Sequence, residues 1–238
     1  MKLSILMPAY NEAATVERAL AAVLATPQEK EIIMVDDGST DGTGEILTKL
    51  SQDHSDVHVI VHKRNQGKGA AVRSALAAAT GDVVLIQDCD LEYDPNDYAS
   101  LLEPIERGET DVVFGTRSFG SHTSFSFWFV MGNKLVTLAT NILFNCYISD
   151  METCYKVMRL DVARQLRLTA RGFELEPQIT GGLLNLGHQI YEVPVNYKAR
   201  TREEGKKLTW TDGLRAIQAL CIVRLRRNQD RRRAGLAR

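Results

Sequence analysis

The stretch Glu31-Ile32-Ile33-Met34-Val35-Asp36-Asp37-Gly38-Ser39-Thr40-Asp41-Gly42-Thr43 carries the reading of the fold. Its first part is a short apolar run of strand length without polar alternation, as in a strand covered on both faces. The run breaks at two acids and a glycine, and Ser39, Thr40 or Asp41 can cap a helix starting near Asp41 or Gly42. Capping accounts for those three residues and leaves the paired acids Asp36 and Asp37 unexplained. At the carboxyl end of a strand in an open sheet, such an acid is placed to hydrogen-bond a base or a ribose.

The same grammar recurs on either side. Leu3–Met7, Val57–Val61 and Asp82–Ile86 are further apolar runs, and Val16, Leu20, Val23 and Leu24 keep helical spacing. Ala70, Ala71, Ser74, Ala75, Ala78 and Ala79 form a small-residue helix face. Strands alternating with helices predict an α/β fold, a mostly parallel Rossmann-like central sheet with helices on both faces. A fifth strand, Asp111–Phe114, ends at Gly115-Thr116-Arg117. Beyond it the sequence reads as an aromatic loop (Phe119 to Phe129), a long apolar helix, an irregular acidic patch and a helical run Glu174–Asn185. A last strand Gln189–Val195, a basic loop and a helix near Thr211–Arg224 complete the pattern. No linker or repeat interrupts it, so one domain is expected over 1–223, its second half built onto the edge of the first.

Of 238 residues, 44% are hydrophobic and 25% charged, which suits a substantial core and excludes a disordered chain. Cys89, Cys146, Cys154 and Cys221 lack C-x-x-C spacing, which disfavours a zinc or disulfide framework and points to a reducing, cytoplasmic setting. The apolar run after Lys2 stops at Pro8, too short for a targeting segment. Phe125 to Ile148 is interrupted by Gly132-Asn133-Lys134 and by Thr137, Thr140, Asn141 and Asn145, so no transmembrane segment is expected. The net charge of −1 conceals a segregation: residues 224–238 hold seven arginines and one aspartate, +6, leaving −7 for the rest. Such a basic tail is either merely solvated or meets an anionic membrane surface. A nucleic-acid partner is disfavoured by the acidic body and by the absence of aromatics within the tail.

Asp88-Cys89-Asp90 follows the buried run Val83-Val84-Leu85-Ile86, and a continued strand would turn both carboxylates to one face. Carboxylates held that close share a proton or are compensated by a cation, and all-oxygen ligation suits Mg²⁺ or Mn²⁺, with Glu92 as a further oxygen donor. An Asp-rich surface turn is the other reading. Gly67-Lys68-Gly69 can approach phosphates closely. No G-x-G-x-x-G follows the first strand, and neither G-x-x-x-x-G-K-[ST] nor G-x-S-x-G occurs, which disfavours a dinucleotide oxidoreductase, a P-loop NTPase and a serine hydrolase elbow.

Four motifs in order then carry a resemblance: Pro8-Ala9-Tyr10-Asn11-Glu12, Val35 to Thr43, Asn65-Gln66-Gly67-Lys68-Gly69 and Asp88-Cys89-Asp90. Together they resemble the signatures of family-two inverting glycosyltransferases of the GT-A fold. Gly132-Asn133, Asp150-Met151-Glu152-Thr153-Cys154-Tyr155-Lys156 and Glu192-Val193-Pro194-Val195 are similar to the branch that makes polyprenyl or dolichyl phosphate sugars. In that branch Asp-x-Asp is often followed by Leu-Gln; here Glu92 stands in the Gln position.

The resemblance implies a nucleotide-sugar half, 1–117, an acceptor half, 118–223, and a basic tail, 224–238. It implies a hexose transfer from GDP-mannose or UDP-glucose to a lipid phosphate. Pro8, Tyr10, Glu12, Val35 and Asp37 would hold base and ribose, and Lys68, Asp88, Cys89, Asp90, Arg200, Lys206 and Lys207 the sugar diphosphate. The metal would sit on Asp88, Asp90 and Glu92. Arg117, Asn133 and Lys134 would face the acceptor phosphate, and Asp90, Asp150 and Arg117 would be catalytic, Asp150 as base or acceptor-orienting acid in competition with Glu152, Glu174 and Glu176. Gly205 suits a closing loop. A soluble hydroxyl acceptor and a non-catalytic nucleotide-sugar binding module are the alternatives. The aromatic segment Phe125, Phe127, Trp128, Phe129 fits either core packing or an interfacial contact.

Overall fold

The computed structural model describes residues 1–118, 127–199 and 210–236. In chain order the elements are β1 (Leu3–Ala9), α1 (Val16–Leu24), β2 (Lys30–Asp36), α2 (Thr43–Asp53), β3 (Val57–Val61), α3 (Lys68–Ala78), β4 (Val83–Ile86), α4 (Tyr98–Glu106) and β5 (Val112–Thr116). There follow α5 (Phe127–Phe144), β6 (Lys156–Arg159), α6 (Leu160–Gln165), α7 (Leu175–Leu186), β7 (Tyr191–Pro194), α8 (Trp210–Leu225) and α9 (Arg227–Arg233).

The strands form a seven-stranded sheet in the order β3-β2-β1-β4-β6-β5-β7. β1 pairs parallel with β2 on one side and with β4 on the other, and β2 pairs parallel with β3. The chain thus runs outward from β1 to β3 and then returns past β1 to β4. Right-handed crossovers put α1 and α2 on one face and α3 on the other, and the reversal opens a crevice at the carboxyl ends of β1 and β4. β1, β2 and β4 are buried almost throughout, each aliphatic side chain contributing about 1.5–3 kcal/mol.

β6 departs from the expected pattern. It pairs antiparallel with both β4 and β5, in the region read from the sequence as an irregular acidic patch. Its four residues begin with a lysine, and nothing in so short and polar a run marks a central strand. Lys156 is nonetheless wholly buried, its ammonium donating to Glu176 Oε2 at 2.5 Å, to the Met151 carbonyl at 3.0 Å and to the Thr153 carbonyl.

A second, smaller core joins Val136 of α5, Ile148, Met151, and Ala216 and Leu220 of α8. α8 runs through residue 223 to Leu225, and residues 227–233 of the basic segment form α9. α9 lies against α7, where Asn185 Nδ2 donates to Asp230 Oδ2 at 3.0 Å. Phe127 and Trp128 are 65% and 81% exposed, so these two aromatics are not core.

Candidate active site

The crevice at the β1/β4 reversal is a cavity of about 340 Å³. Residues from all four sequence motifs meet there: Pro8, Tyr10 and Glu12 after β1, Asp37 after β2, Asn65 and Gly67 before α3, and Asp88, Cys89 and Asp90 after β4. Lys68, Glu92, Arg117, Glu152 and Glu176 complete its charged lining, with Tyr93, Phe173 and Tyr197 as aromatic walls.

Hydrogen bonds between the loops after β1 and β2 build one wall of the cavity. Asn11, at φ 53°, donates from its amide to Ser39 Oγ at 3.0 Å and accepts from the Thr40 amide at 2.9 Å. Asp41, not Ser39 or Thr40, serves the start of α2: its Oδ1 accepts from the Thr43 amide at 3.1 Å and hydroxyl at 2.6 Å. Asp36 accepts from the Ser39 amide at 3.0 Å. Asp37 accepts from the Gly67 amide at 2.6 Å, from the Gln66 amide at 3.0 Å and from His62 Nδ1 at 2.6 Å, so it holds the loop before α3 against the end of β2. Both consecutive acids are therefore explained by backbone they organise, while Asp37 also lines the cavity. Val35 does not line it; its side chain is buried in the main core.

Gly67-Lys68-Gly69 has a different basis from close phosphate approach. At Gly67, with φ 92°, a Cβ would lie 2.3 Å from the Arg171 carbonyl oxygen, and at Gly69 one would lie 2.5 Å from that of Ala170. The glycines let the start of α3 pack on the 170–172 backbone. That contact aims Lys68, whose Nζ donates to Asp88 Oδ2 at 2.8 Å and lies 3.4 Å from Glu176 Oε1. Burial works against the ammonium, yet Asp88, Cys154 and Glu176 around it hold its pKa well above the ordinary lysine value.

β4 stops at Ile86, so Asp88 and Asp90 lie in a turn rather than on one strand face. Leu91 at φ 61° makes that turn tight, and Asp90 Oδ1 accepts from the Glu92 amide at 3.1 Å. Gln87 supports it from beneath. Its Oε1 accepts from Tyr98 and Tyr155 hydroxyls, both at 2.7 Å, and its Nε2 donates to the Asp88 carbonyl at 3.0 Å.

The Asp88 and Asp90 carboxylates offer the oxygen chemistry that a hard divalent cation takes, so the donor set fits such a metal. Glu92 lines the same cavity, and its Oε2 accepts from the Tyr197 hydroxyl at 2.6 Å. Among the described residues no three His, Cys, Asp or Glu side chains form a closed ligand set. A cation held here would take the rest of its shell from oxygens of water or of a bound ligand.

Arg117, just past the end of β5, lines the cavity and is paired with Asp150 through Nε and NH2. Nε donates to Oδ2 at 2.7 Å, NH2 to Oδ1 at 2.8 Å, and the Arg117 amide to Oδ2 at 3.1 Å. Burial alone would raise the Asp150 carboxyl; Arg117 outweighs it and holds the group below the usual carboxylate range. Asp150 does not line the cavity, and an acid so paired is a poor proton acceptor. Asn133 and Lys134 lie within α5 and are likewise absent from the lining, Lys134 being exposed on its outer side. Arg200, Lys206, Lys207 and Gly205 lie outside the described residues, as does Phe125. Lys156, Gln87 and Tyr197 are site-building residues that the sequence reading missed. Only the short spacing from Asp150 to Lys156 hints at the first.

Acids and cations from several strand ends thus meet in one crevice at the carboxyl edge of the sheet, the place where open α/β sheets bind their ligands. The chain belongs to glycosyl transferase family 2, whose family profile matches residues 4–167. It is similar to the dodecaprenyl-phosphate galacturonate synthase of Rhizobium johnstonii, 28% identical over 209 residues, 84% of this chain and 60% of that protein. It is also similar to the dolichol-phosphate mannosyltransferase of Pyrococcus furiosus, 28% identical over 212 residues, 87% of this chain and 59% of that one. The chain thus spans about 60% of the length of these curated relatives. The Mycobacterium tuberculosis glucosyl-3-phosphoglycerate synthase in complex with UDP superposes with a TM-score of 0.69 at 19% identity, covering 100% of this chain and 81% of the other, a likeness of fold. That synthase has also been crystallised with Mn²⁺, UDP-glucose and phosphoglyceric acid.

Proposed function

We propose that this chain transfers a hexose from a nucleoside diphosphate sugar, GDP-mannose or UDP-glucose, to a polyprenyl phosphate, with inversion at the anomeric carbon. The observation that carries the acceptor is the engagement of Asp150 by Arg117. A hydroxyl acceptor needs a base, and Asp150 is not free to be one, which leaves that role to Glu152 in the soluble-acceptor alternative. A phosphate monoester, with a second pKa of about 6, arrives as an anion and needs none. Two relatives that cover most of the chain carry names of lipid-phosphate sugar synthases, which supports the same choice.

In this reading Pro8, Tyr10, Glu12 and Asp37 hold the nucleoside, and Lys68 balances charge near the diphosphate. A phosphate oxygen of the acceptor bonds to the anomeric carbon as the bond from that carbon to the diphosphate oxygen breaks, and the electron pair leaves with the nucleoside diphosphate. Asp88 and Asp90 would hold Mg²⁺ or Mn²⁺, which supplies Lewis-acid stabilisation of the leaving group when bound. Arg117, locked in place by Asp150, orients the incoming anion. Two unit charges about 4 Å apart repel by roughly 4 kcal/mol at an effective dielectric near 20, so such fixed cations matter. Arg200, Lys206 and Lys207 would add to them.

The acceptor reading extends to an anionic membrane surface. Trp128, Met131, Leu135, Leu138 and Ile142 form an exposed apolar stripe along α5, and Leu214, Ile222 and Leu225 are exposed on α8, which packs beside it. The arginines of α9 follow directly, so apolar faces and positive charge adjoin, the combination that suits an anionic bilayer. No helix among the described residues is long and apolar enough to cross a membrane.

The test is incubation with labelled UDP-glucose or GDP-mannose, divalent cation and polyprenyl phosphate, followed by organic extraction. Label in the organic phase with one donor is the expected result. Label confined to the aqueous phase with both donors overturns the lipid acceptor.

A further inference from the structure

Two carboxyls at one end of the cavity, Glu152 and Glu176, are treated differently by the fold. Glu176 Oε2 accepts from the buried Lys156 ammonium at 2.5 Å, and its Oε1 lies 3.4 Å from Lys68 Nζ. It therefore faces two cations, although its Oε1 makes no hydrogen bond among the described residues. Glu152 lines the same cavity, its Oε1 is likewise buried with no hydrogen-bond partner among the described residues, and no ion pair holds its carboxylate there. The neighbouring cations are already committed, Arg117 to Asp150 and Lys156 to Glu176.

The local backbone explains why Glu152 is held there. The carbonyls on either side of it, those of Met151 and Thr153, both turn onto the Lys156 ammonium. The Cys154 amide donates to the Tyr93 hydroxyl at 3.0 Å, fixing the far end of the segment. The loop is thus wrapped around a buried charge, and the side chain between the two carbonyls is left at the cavity wall. Burial and then the nearby Glu176 raise the Glu152 pKa to about 7.

A buried carboxyl oxygen without a protein partner costs stability unless a ligand supplies one. The chain Asp88–Lys68–Glu176 connects the paired-carboxylate turn, assigned above to the diphosphate, to Glu176 at this end of the cavity, the end that is left for the sugar. A neutral hexose brings hydroxyls that pair with a carboxyl in either protonation state. A uronic acid brings a further carboxylate into a pocket that already holds two.

We propose that Glu152 is a specificity-determining residue that engages hydroxyls of the donor sugar and that, together with Glu176, it selects an uncharged hexose over a uronic acid. The proposal rests on the nucleotide-sugar reading of the cavity.

The experiment is calorimetric titration of the wild-type protein, Glu152→Gln and Glu152→Ala with UDP, UDP-glucose and UDP-glucuronate, and with GDP, GDP-mannose and GDP-mannuronate, in the presence of Mn²⁺. For the wild type, the neutral sugar nucleotide binds about 100-fold more tightly than its uronate counterpart. In Glu152→Gln, which keeps the size and removes the charge, that ratio falls to about tenfold. In Glu152→Ala the hexose donor loses about tenfold in affinity. Affinity for the bare diphosphate is the same in all three proteins, which also verifies that the variants fold. A hexose-to-uronate ratio unchanged by either substitution overturns the proposal, including the case in which only kcat falls and Glu152 acts as a base. Failure of both UDP and GDP to bind the wild type overturns the nucleotide-sugar reading itself, and this inference with it.

Discussion

Asp150 receives Arg117 through two parallel hydrogen bonds, Nε to Oδ2 at 2.7 Å and NH2 to Oδ1 at 2.8 Å, and it does so at the wall of the cavity rather than inside it. An acid and a base that the sequence offers as separate catalytic groups thus act as one rigid unit. Removing one partner of a buried pair strands the other charge, at a cost of about 3–5 kcal/mol. Asp150→Ala is expected to lower stability by that amount in urea denaturation. Charge-neutral Arg117→Met with Asp150→Leu should recover much of the stability but not the transfer. If the single variant is as stable as the wild type, the pair is not the anchor described above.

Gln87, the Leu91 conformation and the Lys68–Asp88 ion pair hold the Asp88–Asp90 turn, and Asn at position 90 keeps an oxygen for the Glu92 amide, so neutralising Asp90 should spare the fold. Asp90→Asn is expected to reduce turnover at least about a hundredfold in the presence of Mg²⁺ or Mn²⁺, the scale of losing preorganised leaving-group stabilisation. Its thermal melting curve should match the wild type. Chelation should have the same effect on the wild type, reversed by adding the cation back. Full turnover by the variant would refute the metal assignment.

Glu31 offers a test of pH dependence away from the cavity. Burial alone would raise its carboxyl, but the Ser4 hydroxyl at 2.5 Å, the Thr80 hydroxyl and amide, both at 2.6 Å, and Lys2 lower it to about 2. A depressed folded-state pKa contributes stability that is present above the unfolded value near 4.3 and is lost as pH falls toward 2. The contribution at neutral pH is about 3 kcal/mol. Denaturation series should show Glu31→Gln with a shallower loss of stability between about pH 5 and 2 than the wild type; parallel curves would remove Glu31 from the account.

The apolar stripe on α5 predicts binding to vesicles of phosphatidylglycerol mixed with phosphatidylcholine, weakened by salt and by replacing Leu135 and Ile142, 60% and 72% exposed, with Glu. These side chains make no core contact that would be lost, so the double variant should melt as the wild type does. Sedimentation with vesicles measures the effect. Absence of wild-type binding at low salt would leave the lipid acceptor to be reached without membrane docking by this face.

Much of the fold was legible in the sequence because its strands are apolar runs and its helices periodic. β1 to β5 fall within two residues of where composition places them, and the acids at their ends meet in one crevice. β6 was not legible, because Lys156 looks like a surface residue until Glu176 and two carbonyls are brought around it. Several motif residues also have a part that only the fold shows. Asp37 and Gly67 read as ligand contacts; both line the cavity, and each also holds or approaches backbone of a neighbouring segment. Asn133 and Lys134 read as phosphate contacts, yet α5 carries them away from the cavity.

What the sequence determined by itself is local: which runs form strands, which acids end them, and the family those motifs define. These follow from short-range periodicity and from residue types that a few adjacent positions suffice to reveal. Only the tertiary structure decided which charges are spent on one another. Arg117 is committed to Asp150, and Lys156 to Glu176, while Glu152 keeps a buried oxygen for a ligand. Such pairings join residues 20 to 33 positions apart. Their chemistry depends on distance and burial, which exist only once the sheet has brought its ends together.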